Sequence, residues 1–273
     1  MSTPEINIDL KEKIELKDGI LVHGFPGPGL ASAIAVNYVI EQEKLPRIGT
    51  ISSEVFPALT VIRDYQPGHP LRLYGKSGVI VLSSEMAPMD ALARLIADNL
   101  LKFMQEQGIR RIVSLEALVS QQMQNPQAEG QAPPAPPVPP TISEGEEPEV
   151  FVVASTPELK KELEGTEVKL FKEGMITGVA GLLLSEGERL GIDVMCILTE
   201  ANPMYPDARA AARLIDTLNK LKIMEIDLET LNKQAEEIEE KVRDSMMQAQ
   251  KYLDAQQKQQ APDQRVVPAH MYG

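Results

Sequence analysis

The sequence predicts an α/β fold: a mostly parallel sheet flanked by helices, with a long C-terminal helix. Two observations carry this. Short apolar runs of strand length alternate with amphipathic segments of helical period from about residue 18 to residue 222. After residue 224 the period changes to seven, which a long helix explains.

The elements follow in order. Residues 18–23 (DGILVH) form a short buried strand that leads into the glycine-rich turn 24–30 (GFPGPGL). Residues 31–44 carry apolar side chains at helical spacing, and 47–53 read as the next strand. Residues 59–85 hold two or three strands, with turns at Pro67-Gly68 and Lys76-Ser77-Gly78. The amphipathic helix at 88–108 has Asp90 in its first turn, where a carboxylate meets the positive helix end, and Gly108 closes it. Residues 109–119 are a strand. Residues 124–148 interrupt the alternation with seven prolines between Pro133 and Pro148, which predicts an extended surface insertion rather than a packed element. The alternation then resumes: strand 149–155, helix 156–164, strand 166–173, helix 175–191 with its Gly178-Val-Ala-Gly181 step, strand 192–200 and helix 206–222.

Three regions result. Residues 1–222 form the α/β core, 223–257 a long helix and 258–273 a Gln- and Pro-containing flexible tail that ends in Met-Tyr-Gly. In the long helix, Leu228, Ala235, Val242 and Ala249 repeat every seven residues, and Leu231, Ile238, Ser245 and Tyr252 lie three residues after each. This is an a/d seam, weakened by two alanines and a serine. It predicts packing either against another subunit in a coiled coil or against the core. A helix over 225–257 would be roughly 50 Å long.

Composition excludes several functions. Of 273 residues, 40 are acidic and 27 basic, and a formal net charge of −13 disfavours a nucleic-acid partner, which needs a basic face. The single cysteine, Cys196, excludes an internal disulfide and lies in an apolar strand-like run, so it reads as a buried small hydrophobe. His23, His69 and His270 are scattered and no Cys/His set has metal spacing; no metal or cofactor is expected. The N-terminus lacks an apolar leader and no run of 18 apolar residues occurs, so no membrane partner is expected and the protein reads as cytoplasmic.

Two stretches resemble phosphate-binding motifs. The turn at 24–30 follows a strand and opens a helix, where free N–H groups and the positive end of the helix dipole would favour an anion. Its order is G-x-x-G-x-G, however, and Pro26 and Pro28 remove two donors. A tight strand-to-helix turn built on Gly24, Pro26, Gly27 and Gly29, with glycines that allow close backbone packing, accounts for it better. Residues 74–78 (YGKSG) end like a P-loop, but Pro70 stands where its first glycine belongs and the segment joins two strands, so it is a hairpin turn. Glu85, Glu116 and Glu200 fall at or near predicted strand ends, where α/β folds place ligands. Each is a candidate general base or a cap or loop residue, and a nucleoside- or nucleotide-binding enzyme using them with the glycine turn remains an alternative.

Taken together, HGFPGPGLASAIAVNYVIEQ, GMITGVAGLLLSEGERLGIDVMCILTEA and YPDARAAARLIDTL resemble the proteasome assembly chaperone family, specifically its archaeal members, over roughly residues 15–222. The Pro-rich insertion, and the lack of a glycine near the end of IVSLEALV, depart from the family pattern. The resemblance implies a nucleoside-phosphorylase-like core, no enzymatic activity, homo-oligomerisation and binding to proteasome α subunits. It also gives Met271, Tyr272 and Gly273 a meaning. Some proteasome activators and assembly chaperones end in hydrophobic-Tyr-X, a tail that enters a pocket between neighbouring subunits of the α ring. Tyrosine supplies a large apolar body with a hydroxyl, methionine adapts to an irregular groove, and the carboxylate adds a charge-assisted contact. Residues 258–270 reach at most roughly 45 Å when extended. On an oligomer, several such tails gain avidity for a ring of pockets.

Overall fold

The structure, a computed structural model, describes residues 5–11, 14–63, 65–119 and 148–238. The first half runs β1 (Asn7–Leu10), β2 (Ile20–Gly24), α1 (Ala31–Gln42), β3 (Arg47–Ser52), β4 (Val61–Arg63), β5 (Gln66–Gly68), β6 (Leu71–Lys76), β7 (Val79–Ser84), α2 (Asp90–Gln107) and β8 (Arg111–Val119). The second half runs β9 (Val150–Ala154), α3 (Pro157–Glu164), β10 (Lys169–Leu170), α4 (Gly178–Leu190), β11 (Asp193–Ala201) and α5 (Ala208–Lys220). Residues 229–238 are helical and are called α6.

Nine strands form one sheet in the order β1-β3-β6-β7-β2-β8-β11-β9-β10, and β4 and β5 form a separate hairpin. The central strands β7, β2, β8 and β11 are parallel. They are also the most continuously apolar, as strands covered on both faces must be. The flanks differ from the mostly parallel sheet expected: β1, β3 and β6 join β7 through antiparallel pairings, as β9 joins β11. The reason is local. β6 returns to β7 through the two-residue Ser77-Gly78 turn, and so short a connection forces antiparallel pairing.

Helices cover both faces. One layer is α1, α3, α5 and α6, over Val22, Val81, Val113, Leu115 and Ile197. The other is α2 and α4, over Leu21, Ile80, Leu82, Ile112 and Val194. Along each central strand alternate residues enter opposite cores, which is the period-two rule seen from inside. α1 and α5 approach through small side chains, Ala31 and Ala35 on one and Ala208, Ala211 and Ala212 on the other.

Several boundaries differ from expectation. β1 was not anticipated, although Ile6, Ile8 and Leu10 alternate; it is an edge strand with one half-buried face. The strand expected at 166–173 contracts to Lys169–Leu170, with one further backbone bond from the Phe171 N–H to the Val152 carbonyl at 3.0 Å. The helix expected from 175 begins at Gly178. A side chain at Gly181 would lie 2.1 Å from the Ile176 carbonyl oxygen, so the chain can fold back over the first turn only at a glycine.

The largest difference concerns the long helix. Residues 223–228 are not helical. Ile226 is 3% exposed and its backbone N–H and C=O both bond the Asn219 side-chain amide, at 2.8 Å each, while the Tyr38 hydroxyl donates to the Asp227 carbonyl at 2.9 Å. This pinned segment lays α6 back on the domain. Leu231 and Ala235 are 1% and 4% exposed, and Leu228 and Ile238 pack beside them on the α1/α5 core. The first four seam residues therefore cover their own domain. Val242, Ser245, Ala249 and Tyr252, the Pro-rich insertion over 124–147 and the tail with Met271, Tyr272 and Gly273 lie outside the described residues.

Candidate functional site at the strand ends

The parallel strands β7, β2, β8 and β11 all point their C-terminal ends to one side of the sheet, where α/β folds gather their loops. The glycine-rich turn lies there. A side chain at Gly24 would stand 2.8 Å from the Ser32 carbonyl oxygen, so the end of β2 meets the first turn of α1 at backbone distance. Pro26 is half-buried and Gly27 exposed. Gly29 is buried at φ +59°, and a Cβ there would lie 2.6 Å from the Asn202 carbonyl oxygen and 2.8 Å from Asp207 Cβ. Both the left-handed backbone and the close approach require glycine.

Asp207 locks this contact. It is 6% exposed, its N–H donates to the Gly29 carbonyl at 2.7 Å, and its carboxylate accepts from the N–H of Asn202 at 2.8 Å and of Ala210 at 2.9 Å. The second of these bonds caps α5, and the carboxylate sits at the positive end of the α5 dipole. The turn at 24–30 and YPDARAAA at 205–212, far apart in sequence, are thus one structural unit, and the glycines serve packing between two loops.

A second group lies on the α2/α4 face of the same strands. His23, Ser114 and Cys196 stand side by side across β2, β8 and β11, and none is exposed. His23 Nε2 and Ser114 Oγ are 2.7 Å apart, while His23 Nδ1 has no hydrogen-bond partner among the described residues. Burial lowers the imidazole to about 3, so the ring is neutral. The rings of His23 and Phe25 lie 5.5 Å apart. One step further along β8 is Glu116, half-buried, opposite Leu198. Desolvation raises its carboxyl to about 8, and burial together with the Glu116 charge pushes the Cys196 thiol well above its ordinary value. At neutral pH the group is uncharged and proton-bearing.

The other strand-end carboxylates do not join it. Glu85 forms a 2.6 Å ion pair with the buried Arg72. Glu200 lies on β11 opposite Leu118, one strand away from Glu116, and its N–H bonds the Glu149 carbonyl at 3.3 Å. Among the described residues no cluster of His, Cys, Asp or Glu has metal-binding form, and no helix is long and apolar enough to cross a membrane. The pairing of His23 with Ser114 escaped sequence reading because 91 residues separate them; only the strand order brings them together.

Comparison with known proteins places this geometry. The profile of the PAC2 family matches residues 21–246. The crystal structure of Pyrococcus furiosus PbaA, an archaeal homolog of proteasome-assembly chaperone, is 29% identical, with a TM-score of 0.74 over 93% of this chain and 97% of that one. Pyrococcus furiosus PbaB, an archaeal proteasome activator, is 25% identical, with a TM-score of 0.70 over 88% of this chain and 98% of its own. An uncharacterized protein of Methanocaldococcus jannaschii is 27% identical over 249 residues, 91% of this chain and 94% of the relative. Matched over most of its length, and with the glycine turn and the YPDARAAA segment forming one folded unit, the chain belongs to the PAC2 family.

Proposed function

We propose that this protein is a proteasome assembly chaperone or activator that binds the proteasome α ring through Met271, Tyr272 and Gly273. The observation that carries the reading is the near full-length likeness to PbaA and PbaB, joined to a hydrophobic-Tyr-X sequence at residues 271–273. The core is of the nucleoside-phosphorylase type and serves as a scaffold without enzymatic activity in the cytoplasm. The scaffold is a homo-oligomer. Because Leu228, Leu231, Ala235 and Ile238 are occupied on the domain itself, self-association through the heptad pattern falls to Val242, Ala249 and Tyr252.

The nucleotide-binding alternative draws less support. Glu85 is held by Arg72, and Gly29 is filled by the 202–207 loop. Surface plasmon resonance on immobilised α rings tests the proposal. Tyr272→Ala abolishes binding while circular dichroism and sedimentation stay as in the wild type; undiminished binding by Tyr272→Ala overturns it.

A further inference from the structure

Glu116 is the one feature of the strand ends that neither the fold nor the proposed docking explains. Its carboxyl lies near the middle of a nine-stranded sheet, two residues beyond Ser114 on the same face. It has no hydrogen bond or ion pair among the described residues, whereas Arg72 meets Glu85 and Arg111 meets Glu162 and Asp193 elsewhere in the sheet. A second polar atom beside it, His23 Nδ1, is also bare and fully buried. Unpartnered buried polar groups cost stability and call for an explanation. The surroundings are apolar: Phe25 and Met86 on the α2 side, Leu118, Ile176, Ala180 and Leu198 on the α4 side. Glu116 itself still reaches solvent.

We infer that the C-terminal end of β8 is a binding site for an organic cation, an amine or guanidinium, whose N–H groups the Glu116 carboxylate accepts. A bare carboxyl between apolar walls offers nothing to an anion. A cation removes the cost of ionising it, and the adjacent Phe25 ring is a face on which a guanidinium can stack. The net charge of −13 raises the local concentration of such cations. Free amines and the Lys or Arg side chains of peptides share this chemistry.

Binding is linked to a proton. Glu116 gives its proton to solvent as the cation arrives. The other titratable groups on its face are His23 on β2 and Cys196 and Glu200 on β11. α2 and α4 turn Ala97, Val179 and Leu183 toward the sheet, and their Arg94 and Glu186 are paired with each other at 3.0 Å. His23 and Cys196 titrate far to either side of neutrality, so Glu116 governs the window below pH 8.

Agmatine is the probe, titrated by calorimetry into the full chain at ~0.15 M salt, where exposed charges are screened. The expected result is binding that tightens about tenfold per pH unit up to pH 8, releases close to one proton, and weakens at least about tenfold in Glu116→Gln. Acetyl-Gly-Arg-Gly-amide in a parallel arm distinguishes the sources: tighter binding than agmatine assigns the site to a peptide side chain, weaker binding to a free amine. Agmatine binding that is unchanged in Glu116→Gln, or absent at ~10 mM, overturns the inference. Should the variant fail to fold, proton release by the wild type in two buffers of different ionisation enthalpy still decides it; no release overturns it.

Discussion

Replacing Asp207 with alanine removes the clamp between the glycine turn and α5. Two N–H···carboxylate bonds disappear, from Asn202 and Ala210, at a position only 6% exposed. Loss of the helix cap costs about 1 kcal/mol. The second bond, charge-assisted and buried, costs about 2 kcal/mol, because the Asn202 N–H is left without its acceptor. The sum is about 3 kcal/mol. For a domain of this size that lowers Tm by about 10 °C. Urea unfolding followed by far-UV circular dichroism measures it directly. Gly29→Ala should interact with this change, since its added methyl would overlap Asp207 Cβ, 2.8 Å away. The double variant therefore departs from additivity by at least about 0.5 kcal/mol. A loss below about 0.5 kcal/mol for Asp207→Ala, or strict additivity, would refute the claim that these two segments form one unit.

Two further outcomes follow from the packing and the buried titratable groups. Leu231→Ala opens a cavity under α6 and destabilises the domain by about 2–5 kcal/mol without changing the oligomer, whereas Tyr252→Ala changes sedimentation and leaves the unfolding midpoint of the domain nearly unmoved. Glu116, raised from 4.5 to about 8 in the fold, contributes stability in full below pH 4.5 and loses it at about 1.4 kcal/mol per pH unit as pH rises toward 8. His23, lowered from 6.5 to about 3, acts oppositely: its contribution is complete above pH 6.5 and falls as pH drops toward 3. Urea midpoints across pH should thus fall from pH 6.5 to 8 in the wild type and show a shallower fall in Glu116→Gln; identical slopes would contradict the burial of this carboxyl.

Much of this architecture is legible in the chain because local rules dominate it. The central strands are apolar enough to be buried whatever surrounds them, and α5 carries its cap, Asp207, in its own sequence. The direction of the outer strands is less legible. It depends on which strand pairs with which, and β3 has no local mark that sets it beside β6 instead of β2. The seam at 228–252 illustrates the limit most clearly. A heptad pattern states that one stripe of a helix is buried but not against what, and the Asn219 amide that folds Ile226 back onto the domain makes two backbone bonds no periodicity reports. The glycine turn was read correctly as a packing device, yet its partner, residues 202–207, is invisible until β2 and β11 are set on either side of β8. The His23–Ser114 pair is hidden for the same reason, and Glu116 was one of three strand-end carboxylates until the fold gave Glu85 a partner and left Glu116 without one.

Co-purification with proteasome α subunits, using the full chain and the same chain lacking Met271, Tyr272 and Gly273, tests the proposed function most directly. The account predicts that the full chain retains α rings and that the shortened chain, with unchanged fold and sedimentation, does not. Equal retention of α rings by both chains would contradict it.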